Sequence, residues 1–537
     1  MSRYHLAIFA TGGITLSLEL LASRILSPYF GVSLYIWTGI LSITLVALAI
    51  GYWWGGRLAA SSKSNETRLA YLFALMPSVS CLGMLVAALV YPKMFVPLAN
   101  FHLIIGSFLA CCILLLVPLV TVSAMNPLLV ALSAAQLKSN KNVGDAGAGW
   151  VFFISTTGSV LGVLVTAFVL VPNVTNFRAM LVLAIALAVL AVVLALGEKR
   201  LDVGQRRWLF RLAVVGGLAT TMLLVFATQY LQKDRLLTQS NGEFRILHER
   251  PTFFGNIKIV DSAMRGPTGV VNKRVYLMDG LAQCVMLDSG QPGSSYTYGM
   301  EALGRGLSPD AKRILVLGLG GGVLPMRFAA ADVEIDVVEI NTESIPLAEE
   351  YFNYDAEVAN HFVMDARVFV RETEEKYDLI LADLFHGDAT PEYLLTVEFM
   401  SDLGKCLTPE GGVVFNMVGH SDPRFEPALY SYVKTVNVVW PHVNVYHPGN
   451  PGLRNLMMLA SGRSLESFRP AKISMPREVR DEVKQMVTVE RGLDQERLDS
   501  APVLTDDSNV SANQNAWFYL QTRYPVINGV PPQLLVN

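Results

Sequence analysis

The chain has 537 residues, a net charge of −3, a mean hydropathy of +0.40 and 52% hydrophobic residues. That hydropathy excludes an all-soluble protein, and the lack of a basic stripe in the charged half excludes nucleic acid as a partner. Length alone suggests two or three domains.

From the N-terminus the pattern is that of a membrane protein. MSRYHLAIFA runs into apolar sequence with no small-residue cleavage site, which reads as a first span and not a removed signal peptide. Runs of ~20 apolar residues, the length a helix needs to cross a bilayer, lie near 5–26, 35–56, 70–91, 102–120, 147–171, 179–197 and 209–230. The stretch 121–137 prolongs the fourth run, and Pro118 and Pro127 predict a kinked or re-entrant continuation, so the count is seven or eight. Glu19 and Arg24 fall in the first run. Five residues apart, they do not share a helical face, so partners on other helices are expected, either as a structural pair near the interface or as a polar site. GYWWGG (Gly51 to Gly56) predicts close helix packing. With seven spans, Arg57, Lys63, Arg68, Lys138, Lys141, Lys199, Arg200, Arg206 and Arg207 fall on the side opposite the C-terminal half. The positive-inside rule then sets that half outside the cytoplasm, whereas an eighth span restores it to the cytoplasm.

The period changes after about residue 243. FRILHER, GNIKIVDS, KRVYLMDG and AQCVMLD alternate and are separated by turn residues, which predicts a small antiparallel β layer. RILVLGLGGG, VEIDVVEI, YDLILADLF and GGVVFNMV follow as buried-type strands spaced by helical stretches, the pattern of a doubly wound parallel sheet. The boundaries this implies are a membrane domain over 1–235, a β layer over 236–290 and an α/β domain over 291–537. The five cysteines (Cys81, Cys111, Cys112, Cys284, Cys406) have no CxxC or CxxxxH spacing, so no structural metal is expected.

The chemistry is concentrated at the strand ends. Gly318, Gly320, Gly321 and Gly322 follow the first core strand directly, where a tight turn lets backbone approach a ligand. Glu339 ends the second strand about twenty residues later, placed for two ribose hydroxyls. Asp365 stands where the third strand should end, suited to an adenine amino group, and Asp383 closes the fourth. Each acid alone also fits a helix cap or a solvated loop. Together with the glycine loop they form a cleft at the switch point of the sheet.

These residues resemble the spermidine synthase (polyamine aminopropyltransferase) family, in its membrane-fused branch. The matching elements are MDGLAQ (Met278 to Gln283), the GLGGG loop, VEIN, MDA, YDLILAD, PEYLLTVEF (Pro391 to Phe399) and LTDDSN (Leu504 to Asn509). ITLSLELLASRILSPYFG, with Glu19 and Arg24, is similar to that branch's first span. The resemblance implies a Rossmann-like, class I methyltransferase-like catalytic domain behind an all-α polytopic membrane domain. It implies S-adenosylmethionine or its decarboxylated form as substrate and no metal. Asp383 would be the catalytic base, with Gln283, Gly318, Gly320, Gly322, Glu339, Asp365 and Ala366 on the nucleoside. Tyr298, His386 and Tyr393 would lie on the acceptor side. A homodimer in the inner membrane with a cytoplasmic catalytic domain is expected.

Departures from the pattern gather on the acceptor side. Phe254-Gly255 stands for Tyr-Gln, Tyr298-Gly299-Met300 for Tyr-His-Glu, Asn341 for the acid of VEID, and His386 for the second acid of a DxxD pair, with Asp388 nearby. The glycine loop lacks its usual acid and is one residue shorter. The acceptor is therefore expected not to be plain putrescine, or to be no amine at all. Four activities remain open: aminopropyl transfer to an amine; cleavage of S-adenosylmethionine to methylthioadenosine and homoserine lactone; polyamine transport or sensing; and methyl transfer.

Overall fold

A computed structural model of the chain describes residues 3–31, 34–62, 65–137, 147–230, 236–239, 242–266, 269–385, 390–420, 426–447, 453–488, 492–511, 514 and 523–537. Among them, seven helices are long and apolar enough to cross a membrane: Arg3–Phe30, Leu34–Ser61, Glu66–Phe101, Leu103–Ala135, Ala148–Asn173, Asn176–Gly197 and Val203–Phe226. The 121–137 stretch stays within the fourth of them, which is broken by a π-helical turn at Cys112–Leu116 and a turn at Ala124. Pro118 has no N–H to offer the preceding turn, so the departure from regular α-helix falls beside a proline that the sequence singles out. No eighth span forms among the described residues. In GYWWGG, a Cβ on Gly55 would lie 2.6 Å from the Ala124 carbonyl oxygen, so the second and fourth spans meet backbone to backbone.

Five strands follow the spans as an antiparallel meander: β1 (Leu236–Gln239), β2 (Gly242–Thr252), β3 (Gly255–Gly266), β4 (Gly269–Met278) and β5 (Leu281–Leu287). The core sheet has seven: β6 (Arg313–Leu317), β7 (Glu334–Glu339), β8 (Asn360–Val363), β9 (Tyr377–Ala382), β10 (Leu407–His420), β11 (His442–Tyr446) and β12 (Leu453–Ser461). Their order is β11-β12-β10-β9-β6-β7-β8. The run from β10 to β8 is parallel, whereas β12 is antiparallel to both its neighbours. The chain reverses direction across the sheet between β6 and β9, which sets a crevice at their carboxyl ends. The sequence pattern marks neither β11 nor β12.

The two halves meet near the end of the first span. Arg24 donates to the Thr252 carbonyl at 3.3 Å and to that of Phe253. Its partner thus comes from the β2–β3 hairpin and not from another helix, as the sequence led us to expect. Lys258 of β3, fully buried, donates to the carbonyls of Leu534 (3.0 Å) and Val536 and lies 3.5 Å from Glu249. Leu535 and Val536 in turn join the apolar core of the spans, so the segment around them is shared by both halves. At the opposite pole, Arg3 pairs with Glu198 at 3.2 Å and Arg200 with Glu66 at 3.3 Å.

Candidate active site

The glycine loop is shaped by what surrounds it. Gly318 has φ 92°, and a Cβ there would stand 2.2 Å from the Asp383 carbonyl oxygen. Only glycine lets the ends of β6 and β9 come this close. Gly320, at φ 55°, has open space around its Cβ position, which is the side a ligand can approach. Gly322, at φ 72°, lies under the ring of Tyr354. A Cβ on Gly321 would meet the Cys284 sulfur at 2.7 Å, so β5 packs directly over the loop. Burial pushes the Cys284 thiol up to about 12, leaving it without thiolate character at neutral pH.

Glu339, the last residue of β7, turns its carboxylate onto the loop. It accepts from the backbone N–H of Leu319 at 3.0 Å and of Asn341 at 2.8 Å. Burial raises its pKa, and these backbone donors oppose the rise. Asp365 caps the helix Ala366–Glu372, accepting from Arg367 N at 2.8 Å and Val368 N at 3.3 Å, while its other oxygen accepts from the Tyr393 hydroxyl at 2.6 Å. Tyr393 is thus fixed at the Asp365 rim, and Ala366 is buried behind it.

Asp383 follows β9, its N–H donating to the Leu317 carbonyl at 2.9 Å. The residue is half-buried, but its carboxyl group is enclosed, and that burial pushes it up to about 6. Two neutral donors hold the charge back from a larger rise. Asn416 Nδ2 on β10 donates to Oδ1 at 2.8 Å, and the Tyr296 hydroxyl is shared between this carboxylate and the Gln283 carbonyl at 3.1 Å. Asn455 Nδ2 on β12 donates to Asn416 Oδ1 at 2.9 Å. An amide whose oxygen is occupied must point its nitrogen the other way, so Asn455 fixes Asn416 as a donor to Asp383.

The strand-end acids, the loop and Gln283 are therefore brought together. Tyr298 is not. It is fully buried, its hydroxyl donates to the Pro292 carbonyl at 3.1 Å, and its ring packs against Val479, Val483 and the Arg327 guanidinium. Residues two apart on the helix Ser295–Leu307 point about 160° apart, so only one of the two tyrosines faces the cleft, and it is Tyr296. His386 and Asp388 lie outside the described residues. Sequence reasoning missed Asn416 and Asn455. The available signal was a polar residue inside the apolar run GGVVFNMV.

Residues 294–458 match the model of the spermine/spermidine synthase domain. The match takes in the glycine loop, Glu339, Asp365, Asp383 and Asn416 and ends inside β12, while the spans and the β layer with Gln283 lie outside it. The polyamine aminopropyltransferase of Vibrio vulnificus is 30% identical over 187 residues, 33% of this chain and 60% of that protein. That of Clostridium beijerinckii is 27% identical over 240 residues, 43% of this chain and 78% of the relative. The chain thus spans about three-fifths of the Vibrio relative's length. Among solved structures, a probable spermidine synthase from Corynebacterium glutamicum aligns at 20% identity, covering 46% of this chain and 93% of that one, with a TM-score of 0.37.

Proposed function

We propose that the chain is a membrane-bound, spermidine synthase-like transferase that cleaves a nucleoside sulfonium on the propyl side of sulfur. The observation that carries this is Asp383: an enclosed carboxylate with neutral donors only among the described residues, at the carboxyl end of the sheet beside the glycine loop. An attacking amine must lose a proton, and a base with a pKa near 6 is mostly ionised at neutral pH yet still able to accept one. The amine nitrogen forms a bond to the methylene carbon next to the sulfonium. The C–S bond breaks, its electron pair neutralises sulfur as methylthioadenosine leaves, and the ammonium proton passes to Asp383. Glu339 and Asp365 hold the ribose and adenine, in place of the backbone and Tyr393 contacts they make here. Tyr296 keeps the carboxylate aligned. The substrate is decarboxylated or intact S-adenosylmethionine, and the acceptor is an amine other than plain putrescine.

The test is mass spectrometry of the purified chain incubated with each sulfonium, with and without amines. Amine-dependent methylthioadenosine is the expected product. Amine-independent release would mean cyclisation to a lactone, S-adenosylhomocysteine would mean methyl transfer, and binding without product would mean a sensor or transporter.

A cytosolic substrate requires a cytoplasmic catalytic half, against the loop charge bias of a seven-span chain. In intact cells, a membrane-impermeant maleimide is expected to label an S464C variant only after permeabilisation. Labelling before it would place this half outside.

A further inference from the structure

One ionisable group in the first span has no part in the reaction above. Glu19 lies eleven residues before Phe30, about 16 Å from that end of the helix, well inside a hydrocarbon core ~30 Å thick. It is half-buried, and no hydrogen bond or ion pair to its side chain is found among the described residues. An acid at that depth is costly and marks a functional site by default.

Between Thr11 and Phe30, every residue of this span is buried except Leu16, Glu19, Leu20, Ser23 and Arg24. At about 100° per residue these five cover one continuous arc of roughly 140°. Glu19 and Ser23 line one edge of it and Arg24 the other. The strip climbs to the β2–β3 hairpin, where the Arg24 charge is engaged by the carbonyls of Thr252 and Phe253. The hairpin tip is apolar: Phe253 is 51% exposed, stacks on Phe168 of the fifth span at 6.4 Å, and touches Phe254. Next to the tip, Asn256 N donates to Asp279 Oδ1 at 3.0 Å. From Asp279, four residues of chain, roughly 13 Å when extended, lead to Gln283, whose carbonyl holds Tyr296 against Asp383.

We infer that the acceptor is a primary amine carried on an apolar chain, entering from the bilayer along this strip. Glu19 receives its ammonium within the membrane. The amine then moves past Ser23 and the hairpin to Asp383, and the apolar chain trails back over Phe253, Leu20 and Leu16. This inference rests on the transfer reading, and it explains why the transferase domain is joined to spans. In the transfer itself a C–N bond forms, the C–S bond breaks, and the proton goes to Asp383, as for any amine.

The experiment uses the full chain in phosphatidylcholine nanodiscs with decarboxylated and, separately, intact S-adenosylmethionine, reading methylthioadenosine. Three acceptors are compared: putrescine, dodecylamine, and phosphatidylethanolamine built into the disc. The expected result is at least tenfold higher kcat/KM with one of the two membrane amines than with putrescine, and which one responds separates a free alkylamine from a lipid headgroup. Glu19→Gln is expected to lower that kcat/KM about tenfold with the nucleoside Kd unchanged, and Glu19→Asp to retain most of it. Putrescine equal to or better than both membrane amines would overturn this inference alone, as would an unaffected, nucleoside-binding E19Q protein. No methylthioadenosine in any arm, or the same amount without amine, would overturn the transfer reading and the inference with it.

Discussion

Two aspartates stand at opposite ends of the core sheet, and their surroundings differ in one respect. Asp336 on β7 is 1% exposed and fully supplied: Tyr377 OH at 2.7 Å, Asn360 Nδ2 at 2.8 Å and the Arg313 guanidinium at 3.3 Å. Among the described residues, Asp383 has an amide and a phenol but no cation. A buried carboxylate with a cation and two further donors has its charge spoken for and holds strands together. One with neutral donors alone keeps a raised pKa and remains available to take a proton. Charge compensation thus separates the structural acid from the reactive one, although both are aspartates beside the same parallel strands.

The widest separation is expected from exchanging each for asparagine. Asp383→Asn should lower turnover on the order of 10³-fold, within the range for loss of a general base, while nucleoside binding persists in a titration. Asp336→Asn should leave turnover within a few-fold and lower stability by about 1–3 kcal/mol. The sign for Asp383 is opposite. Its folded-state pKa of about 6 exceeds the ordinary aspartate value of ~3.9, so the folded protein binds this proton more tightly than the unfolded chain. The resulting destabilisation is absent below about pH 4, grows as pH rises between 4 and 6, and is complete above that. Asp383→Asn should therefore be more stable than the parent at pH 7, by about 1–3 kcal/mol, with the difference vanishing in acid. Denaturant melts at pH 4 and pH 7 check both claims, and equal turnover in the two variants would end the distinction.

Glu339 is intermediate, a carboxylate held among the described residues by backbone donors alone. Glu339→Ala should weaken nucleoside affinity ten- to a hundredfold, the worth of charge-assisted hydrogen bonds at about 1.5–3 kcal/mol, with kcat little changed once the site is saturated. Unchanged affinity would mean that this carboxylate serves only the loop.

How much of this the residues announce depends on the range of the interaction. The seven apolar runs and the strands β2 to β7, β9 and β10 follow from periodicity, which is local, and Glu339 and Asp383 follow from their places at strand ends. β11 and β12 carry no such local mark, because β12 joins the sheet by antiparallel pairing with β10 and β11 only by antiparallel pairing with β12. The same distance hid Asn416 and Asn455, whose roles exist only once β10 and β12 lie side by side. Tyr298 was set at the cleft by a motif match that ignores helix phase. The partner of Arg24 is a hairpin more than two hundred residues away, which nothing in the first helix announces.

The finest test of the comparison acts on neither aspartate. Asn416 lowers the Asp383 pKa by donating to its charged form, and it can do so only while its amide faces the right way. Asn416→Ala removes the donor outright, so the ascending limb of kcat/KM, expected near pH 6, should move to higher pH, and activity at pH 6 should fall several-fold. Asn455→Ala leaves Asn416 in place but frees its oxygen, so the amide can turn and present that oxygen to the carboxylate. The limb should then shift in the same direction by a smaller amount, and Asn455→Ser, which keeps a donor, should recover part of it. A purely structural Asn455 would lower stability and leave the limb where it was. A moved limb with an unmoved denaturation midpoint would show that the polarity of one amide, set a strand away, tunes the base that the described part of the sheet leaves without a cation.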